Sequence, residues 1–407
     1  DRGVGPLSVT APKGFVAAGV AAGIKESGAL DLSLVATADH RPVTAAGVFT
    51  TNLVAAAPVQ LSRRHLAAEG RAAAVVLNSG NANAATGEPG LLAAEGTAAL
   101  AAQALGCDRS HILLCSTGLI GIPMAIEPFT AGVPAAAAAL AATPEAGRSA
   151  AEAIMTTDTV AKEAVATFEV GGTTITVGGM AKGAAMLSPA MATMLAVITT
   201  DAAVDPRALQ LALTRAVDAS FNLMTTDGSR STNDTVLVLA GGAAGNGPIQ
   251  AGTAEAHALA DALTAVCASL SDQMASDAEG ATKFVRLTVK GARSNAEALR
   301  AARAVAQSQL VKCSLFGGDP YWGRILSELG ASGSFLDPDR VDIAYNGFTV
   351  CVGGVAAGGG FDADALTKSM QQKEIEVTAD LHLGNGEATV TTVDLTPGYI
   401  DENMRTS

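Results

Sequence analysis

The feature that most constrains this chain is an alternation of short apolar runs with alanine-rich, helix-forming segments. The apolar runs 72–77 and 112–115 each end in a small-residue turn, and residues 91–105 between them have helical composition. Strands and helices that alternate along one chain favour an α/β or α+β fold over a helical bundle. Because only 3% of the residues are aromatic and 49% are hydrophobic, the interior must consist mainly of alanine, valine, leucine and isoleucine.

Turn and cap signals predict further elements. Gly171-Gly172 separates the β-rich runs 165–170 and 173–177, which predicts a hairpin with a two-residue turn. We expect further hairpins at Asn346-Gly347 and Asn385-Gly386. The other predicted elements are an alanine-rich helix at 134–142, a helix at 206–218, a strand at 284–289, a helix opened by the capping box of Ser294 and Glu297, and a loop at 353–360. Residues 194–198 form a further apolar run.

Length and charge restrict the function further. At 407 residues the chain exceeds one ordinary core, so we expect two or three domains. A net charge of −13 with dispersed lysine and arginine argues against nucleic acid and against a membrane surface as partners. The start of the chain has no signal-peptide pattern, and no run is long and apolar enough to span a membrane. The scattered cysteines and histidines predict reduced thiols, no metal, no cofactor and a cytoplasmic location.

The segment 182–195 carries the strongest chemical candidate. It contains Lys182 and, further on, Thr193 between Ala192 and Met194. A threonine hydroxyl is a weak nucleophile and needs a base, which its own α-amino group supplies once Thr193 is a chain terminus. Such a terminus arises when the Thr193 hydroxyl attacks the Ala192 carbonyl and water opens the resulting ester. Alone, an Ala-Thr dipeptide is commonplace and usually only structural.

Ten short motifs follow one another along nearly the whole chain. They are Ala22-Gly23-Ile24-Lys25, Val48-Phe49-Thr50, Asn78-Ser79-Gly80-Asn81-Ala82-Asn83-Ala84, Ser116-Thr117-Gly118-Leu119-Ile120-Gly121, Ile154-Met155-Thr156-Thr157-Asp158, Met180-Ala181-Lys182-Gly183, Met191-Ala192-Thr193-Met194-Leu195, Ser231-Thr232-Asn233-Asp234-Thr235, Asp277-Ala278-Glu279-Gly280-Ala281-Thr282-Lys283, and Asp319-Pro320 with Trp322-Gly323-Arg324. In this order they resemble the ornithine acetyltransferase family, whose members are glutamate N-acetyltransferases and in many cases bifunctional.

The resemblance implies a layered αββα sandwich, similar to the folds of N-terminal-nucleophile enzymes. It also implies self-cleavage into an α chain of residues 1–192 and a β chain of residues 193–407. These would intertwine in one functional unit and assemble as two α and two β chains. The implied reaction moves an acetyl group from N2-acetylornithine to glutamate through an acetyl-threonine intermediate, a ping-pong route in arginine biosynthesis.

The resemblance also implies the roles of individual residues. Thr117 and Gly118 would hold the oxyanion, a task suited to a glycine amide beside a hydroxyl group. The implied substrate contacts are Thr156, Lys182, Thr193, Glu279, Asn403 and Ser407. Among them, Lys182 suits an α-carboxylate and Glu279 suits an ammonium group.

Three positions depart from the family pattern. Ala190 stands where a polar residue is common, which bears on the rate of cleavage. Tyr321 stands where asparagine usually precedes Trp-Gly-Arg, which bears on a local turn or contact. The chain end at Ser407 is about one residue shorter than usual, so Ser407 need not align with the family's terminal contact.

Two other functions remain open from the sequence. An N-terminal-nucleophile amidohydrolase would share the cleavage step and pass the acyl group to water. A metabolite-binding or assembly protein would never cleave. The use of acetyl-CoA as an additional donor, which is amino-acid N-acetyltransferase activity, is also open. The lack of a P-loop and of an obvious basic patch favours transfer from N2-acetylornithine alone.

Overall fold

The computed structural model describes residues 8–186 and 194–404. Within them the chain divides into two compact units. Unit 1 contains the described residues up to 222 and residues 229–274, and unit 2 contains residues 223–228 and 275–404. The predicted cleavage site at Ala192 and Thr193, the departure at Ala190 and the terminal Ser407 lie outside the described residues.

Unit 1 contains two β-sheets. Its strands are β1 (Phe15–Val20), β2 (Leu32–Thr37), β3 (Val43–Phe49), β4 (Arg71–Ala72), β5 (Ala74–Asn78), β6 (Ile112–Ser116), β7 (Lys162–Val170), β8 (Thr173–Lys182), β9 (Leu195–Thr200) and β10 (Thr235–Ala240). Its helices are α1 (Ala57–Glu69), α2 (Gly87–Leu105), α3 (Glu127–Ala138), α4 (Pro144–Ala153), α5 (Pro206–Asp218) and α6 (Ala254–Ser276), the last two residues of which belong to unit 2. The sheet orders are β1-β2-β5-β6 and β4-β3-β10-β9-β8-β7.

The two sheets pack face to face through aliphatic side chains. Val35, Leu77 and Leu113 of the first sheet share one core with Val197 and Leu237 of the second sheet. Every residue of β5, β6, β9 and β10 is buried. These strands are buried on both faces because each lies between the opposite sheet and a layer of helices, which explains their mainly apolar sequence.

Small residues let the helices approach the outer faces of the sheets. Ala94 and Ala98 of α2 and Phe129 of α3 pack on the first sheet. On the second sheet, a Cβ at Gly179 of β8 would lie 2.8 Å from the Val266 side chain of α6. The predicted αββα sandwich is therefore confirmed in unit 1.

Unit 2 contains one sheet of order β14-β13-β12-β15-β11-β16. Its strands are β11 (Phe284–Ala292), β12 (Asp342–Tyr345), β13 (Phe348–Val352), β14 (Val355–Ala356), β15 (Glu374–Asp380) and β16 (Gly386–Val393). Its helices are α7 (Asn295–Gln307), α8 (Gln309–Phe316), α9 (Trp322–Ala331), α10 (Ala363–Ser369) and α11 (Pro397–Asn403). Ala298 and Ala302 of α7 pack with Val289 and Val390 in the core of this unit.

Several local predictions are confirmed. Val170 lies opposite Thr173 in the hairpin of β7 and β8, and both intervening glycines have positive φ, as a two-residue turn requires. Tyr345 lies opposite Phe348 across the Asn346-Gly347 turn. The Ser294 side chain caps α7 by accepting a hydrogen bond from the Glu297 amide.

The hairpin predicted at Asn385-Gly386 is wrong. Strands β15 and β16 are not neighbours, because β11 lies between them, parallel to β15 and antiparallel to β16. Glycine is required at position 386 for another reason, because a Cβ there would lie 2.3 Å from the carbonyl carbon of Ser294. Close approach of two backbones, rather than a turn, requires glycine there.

Two other predicted elements have different limits in the structure. The alanine-rich helix predicted at 134–142 is the end of α3 and stops at Ala138. Ala141 instead exchanges backbone hydrogen bonds of 3.0 and 3.1 Å with Ala17 of β1. Within the loop predicted at 353–360, β14 forms a short strand against the end of β13.

Candidate active site

A buried carboxylate holds two lysines at the end of β8. Asp158 Oδ1 accepts a hydrogen bond from Lys162 Nζ at 2.7 Å, and Oδ2 lies 3.8 Å from Lys182 Nζ. The Gly183 amide also donates to Oδ1 at 2.8 Å. Burial alone would raise the pKa of Asp158, but the Lys182 and Lys162 charges outweigh burial and hold it at about 2. Asp158 is therefore an anion that lies beside both lysines.

Lys182 also contacts two hydroxyl groups. Its Nζ donates to Thr156 Oγ1 at 2.6 Å and to Thr117 Oγ1 at 3.3 Å. The Lys182 side chain is only 3% exposed, whereas Thr156 lies at the surface. A buried ammonium group bonded to neutral hydroxyls can exchange one of them for a carboxylate oxygen. The structure thus brings together three predicted site residues.

The turn after β6 places Thr117 and Gly118 against a second backbone segment. The φ angle of Gly118 is +135°, and a Cβ there would lie 2.4 Å from the Gly80 carbonyl carbon and 2.5 Å from the Asn81 nitrogen. The Thr117 amide donates to Asn78 O at 2.9 Å. Only glycine fits this position, and it puts a backbone amide directly after a hydroxyl that contacts Lys182.

The chain enters β9 beside this cluster. The Met194 amide donates to Asp234 Oδ1 at 3.0 Å, and Leu195 lies opposite Lys182 in the pairing of β8 with β9. On its other side, Leu195 lies opposite Thr235 of β10. The predicted nucleophile at position 193 is covalently bonded to Met194, so the sequence joins it directly to this strand end.

Unit 2 brings together the other two predicted substrate residues that the structure describes. Asn403 Nδ2 donates to Glu279 Oε2 at 2.6 Å, and Glu279 is 9% exposed. Burial and the Glu279 charge raise the pKa of Glu402. A Cβ at Gly280 would lie 2.2 Å from the Tyr399 nitrogen, so the loop after Glu279 packs directly on α11. This concentration of negative charge suits an ammonium group.

The sequence reasoning missed several charged neighbours of Lys182. Lys25 Nζ donates a hydrogen bond to Met155 O at 2.7 Å. Burial lowers the pKa of Lys25; the Asp31 charge partly opposes this effect and the Lys182 charge adds to it. Asp158 and Lys162 had no predicted role either. Lys25 and Asp158 both belong to motifs that carried the resemblance, which was the available signal. Lys162 belongs to none of them.

The described residues also bear on metals and membranes. In residues 8–186 and 194–404, no group of three His, Cys, Asp or Glu side chains could hold a metal ion. Within the same ranges, no helix combines the length and apolar character needed to cross a bilayer. All five cysteines are free thiols. The cytoplasmic location stays a prediction.

The sandwich and the cluster together define the class of protein. A mixed α/β sandwich with charged and hydroxyl side chains gathered at one strand end is typical of an enzyme. Residues 16–406 match the family model described as the ArgJ family, and the chain belongs to that family.

Individual relatives cover the chain almost completely. It is 51% identical over 395 residues to the arginine biosynthesis bifunctional protein ArgJ of Symbiobacterium thermophilum, with 97% of each chain covered. It is 48% identical over 393 residues to the ArgJ protein of Geobacter sulfurreducens, with 96% of this chain and 98% of the relative covered. Among solved structures, an ornithine acetyltransferase of Mycobacterium tuberculosis complexed with ornithine is 42% identical, with 47% of this chain and 97% of that chain covered and a TM-score of 0.41.

Family membership confirms the resemblance stated from the motifs. The chain is an acetyltransferase of arginine biosynthesis. The residue roles, the cleavage and the order of the reaction steps are proposals, to which the geometry of the cluster contributes.

Proposed function

We propose that the chain cleaves itself between Ala192 and Thr193 and then moves an acetyl group from N2-acetylornithine to glutamate. The Thr193 hydroxyl attacks the acetyl carbonyl while the Thr193 α-amino group takes its proton. Collapse of the tetrahedral adduct expels the α-amine of ornithine, which receives that proton. The α-amine of glutamate then attacks the acetyl ester, giving N-acetylglutamate and restoring the hydroxyl.

One observation carries this proposal: Lys182 contacts Thr117 and lies opposite Leu195 in the sheet. The predicted oxyanion residue, the predicted carboxylate-binding residue and the first strand after the predicted nucleophile therefore meet at one strand end. Thr117 and Lys182 are 65 positions apart in sequence, so the fold rather than the local chain brings them together.

Thr117 and Gly118 are the proposed stabilisers of the developing negative charge. A hydroxyl and the next backbone amide can both donate to an oxyanion, and the fixed turn keeps them oriented before the reaction begins. Lys182 donates to the Thr117 hydroxyl, which leaves the hydroxyl hydrogen available for the oxyanion. Under this proposal, Thr117 and Gly118 need no rearrangement before they bind the oxyanion.

The substrate has charged groups that match the remaining residues. Lys182 and Thr156 bind the α-carboxylate that acetylornithine and glutamate share. Glu279, held by Asn403, binds the side-chain ammonium group of the ornithine moiety. Thr193 and the terminal Ser407 complete the set of proposed substrate contacts.

Cleavage would leave the two fragments joined by a sheet. Strand β8, before the proposed cut, pairs with β9, after it, from Val177 opposite Thr200 to Lys182 opposite Leu195. Strand β3 likewise pairs with β10. The α chain 1–192 and the β chain 193–407 therefore form one functional unit, and two such units form the proposed assembly of two α and two β chains.

The cleavage step is tested on the purified protein by denaturing electrophoresis and intact mass. Wild type should give fragments 1–192 and 193–407. Thr193→Ala should remain one chain without transfer activity, whereas the matched control Thr193→Ser keeps a hydroxyl group and should still cleave. A wild-type protein that stays whole and fully active would contradict the mechanism.

The transfer step is tested with two donors and two acceptors. N2-acetylornithine with glutamate should yield N-acetylglutamate and ornithine. Free acetate released at the same rate with and without glutamate would instead favour the amidohydrolase. Acetyl-CoA in place of N2-acetylornithine decides whether the enzyme also has amino-acid N-acetyltransferase activity.

A further inference from the structure

We propose that Asn233 and Asp234 are positioning residues that hold the turn carrying Thr117 and the start of β9 at a fixed separation. This inference rests on the proposed function, because it assigns the two residues to the oxyanion turn and to the strand that follows Thr193. The family motif Ser231–Thr235 contains both residues, and the proposed mechanism gives that motif no other role.

Asn233 is hydrogen-bonded to the first sheet of unit 1. Its Nδ2 donates to Ser116 O at 2.8 Å and to Ala82 O at 2.6 Å, and its Oδ1 accepts from Thr232 Oγ1 at 2.6 Å. The side chain is 2% exposed. Both side-chain amide hydrogens and the amide oxygen of Asn233 therefore have partners. These bonds fix the carbonyl of Ser116, the residue directly before Thr117.

Asp234 holds the second sheet. Its Oδ1 accepts the Met194 amide at 3.0 Å, while the Thr235 amide donates to Met194 O at 3.1 Å. Both polar backbone atoms of Met194 are thus held by consecutive residues. Asp234 is fully buried, so its carboxyl group lies away from solvent.

The order of these contacts gives the segment its proposed role. Consecutive side chains of an extended segment point in opposite directions, so neighbours can reach two different sheets. Asn233 reaches the end of β6, and Asp234 reaches the residue before β9. A displacement of about 1 Å between reacting groups costs about 100-fold in rate, so a rigid link between these strands matters for chemistry.

The carboxyl group of Asp234 is also in an unusual environment. Burial raises its pKa well above the ordinary value, against the opposing effects of the Met194 amide, the Lys182 charge and the Ser231 side chain. The asparagine amide has the same shape as the carboxyl group and keeps an oxygen that can accept a hydrogen bond. Asparagine is therefore the conservative replacement that keeps the Met194 contact.

The test compares Asp234→Ala, Asn233→Ala and Asp234→Asn with wild type. For both alanine variants we expect self-cleavage and kcat per cleaved chain to fall about 100-fold, with KM changed less than about threefold. Asp234→Asn should keep cleavage and kcat within about tenfold of wild type, because the acceptor for Met194 is retained.

A matched control lies at the other end of β9. Asp201 is 2% exposed, and its carboxylate accepts the Thr176 amide at 2.8 Å and the Lys13 amide at 3.2 Å. Asp201→Ala should lower thermal stability by a similar amount but leave kcat per cleaved chain unchanged. If Asp234→Ala behaves like Asp201→Ala, the two residues are only structural and the inference is overturned.

The same experiment separates this inference from the proposed function. Wild type that neither cleaves nor transfers acetyl groups contradicts the proposed function itself. Wild type that does both, beside alanine variants that cleave and turn over normally, contradicts only the positioning role. A loss of activity in Asp234→Asn equal to that in Asp234→Ala would also overturn it, because the Met194 contact would then not be the cause.

Discussion

Units 1 and 2 each bury lysines, and Lys182 in unit 1 differs from Lys312 in unit 2 in the type of its partners. Lys182 in unit 1 donates to two threonine side chains near a buried carboxylate. Lys312 in unit 2 donates to the main-chain carbonyls of Thr226 and Val393. Burial lowers the pKa of Lys312 to about 8, although the charges of Asp227 and Asp394 oppose that effect.

The difference shows which kind of buried lysine can bind a ligand. A main-chain carbonyl that loses its donor inside a protein stays unsatisfied, so the Lys312 contacts are fixed by the fold. A threonine hydroxyl can rotate and find another partner, so Lys182 can accept a carboxylate in its place. Under the proposed function, the threonine partners of Lys182, rather than its burial, distinguish it from Lys312.

The largest effect is expected from removing the anion that holds Lys182. Asp158→Asn leaves the buried Lys162 and Lys182 without a carboxylate and should lower the free energy of unfolding by about 3–5 kcal/mol. The depressed pKa of Asp158, about 2, means that its contribution is present above the ordinary pKa of 3.8 and disappears as the pH falls through about 2. Urea denaturation at neutral and acidic pH measures both effects.

An exposed ion pair provides the control for that experiment. Asp261 lies 2.8 Å from Arg215, and both side chains are more than half exposed. Asp261→Asn should change stability by less than about 1 kcal/mol. Equal losses in the two variants would show that burial of Asp158 does not matter.

The next effect distinguishes the two lysines by activity. Lys182→Met should lower kcat/KM for acetyl transfer about 100-fold, because a charged hydrogen bond to the substrate is lost. Steady-state kinetics with varied N2-acetylornithine and varied glutamate measure this loss. A Lys182→Met enzyme with wild-type kcat/KM for both substrates would refute carboxylate binding by Lys182.

Lys312→Met should have the opposite profile. Two buried carbonyls lose their donor, so the free energy of unfolding should fall by about 2 kcal/mol while kcat per folded chain is unchanged. Denaturant titration and the same kinetic assay measure the two quantities. A kcat loss in Lys312→Met as large as that in Lys182→Met would remove the distinction between the lysines.

The sequence correctly predicted elements whose formation depends on residues close together in the chain. Gly171-Gly172 defined a hairpin because a two-residue turn needs positive φ, and Ser294 defined a helix start because its hydroxyl satisfies a free amide. Asn385-Gly386 failed because its glycine is required by the distant Ser294 backbone. A contact between segments so far apart leaves no periodic trace in a single sequence.

The same distinction applies to the candidate site. The order of family motifs predicted Thr117, Thr156 and Lys182, which the fold brings into contact. It assigned no role to Asn233 or Asp234, because their function depends on which strands become neighbours. Strand order is set by packing of whole layers, which a motif does not describe.

The smallest predicted effect is a pH dependence that only Lys312 should produce. Its pKa is about 8 in the folded protein against 10.5 ordinarily, so the unfolded chain binds more protons between these values. Stability should therefore rise with pH through this window, and wild type should gain about 1 kcal/mol relative to Lys312→Met between about pH 7 and about pH 9. Parallel denaturant titrations of the two proteins measure this difference. If their free energies of unfolding stay parallel across the window, Lys312 is protonated throughout and its main-chain partners hold the charge against the effect of burial.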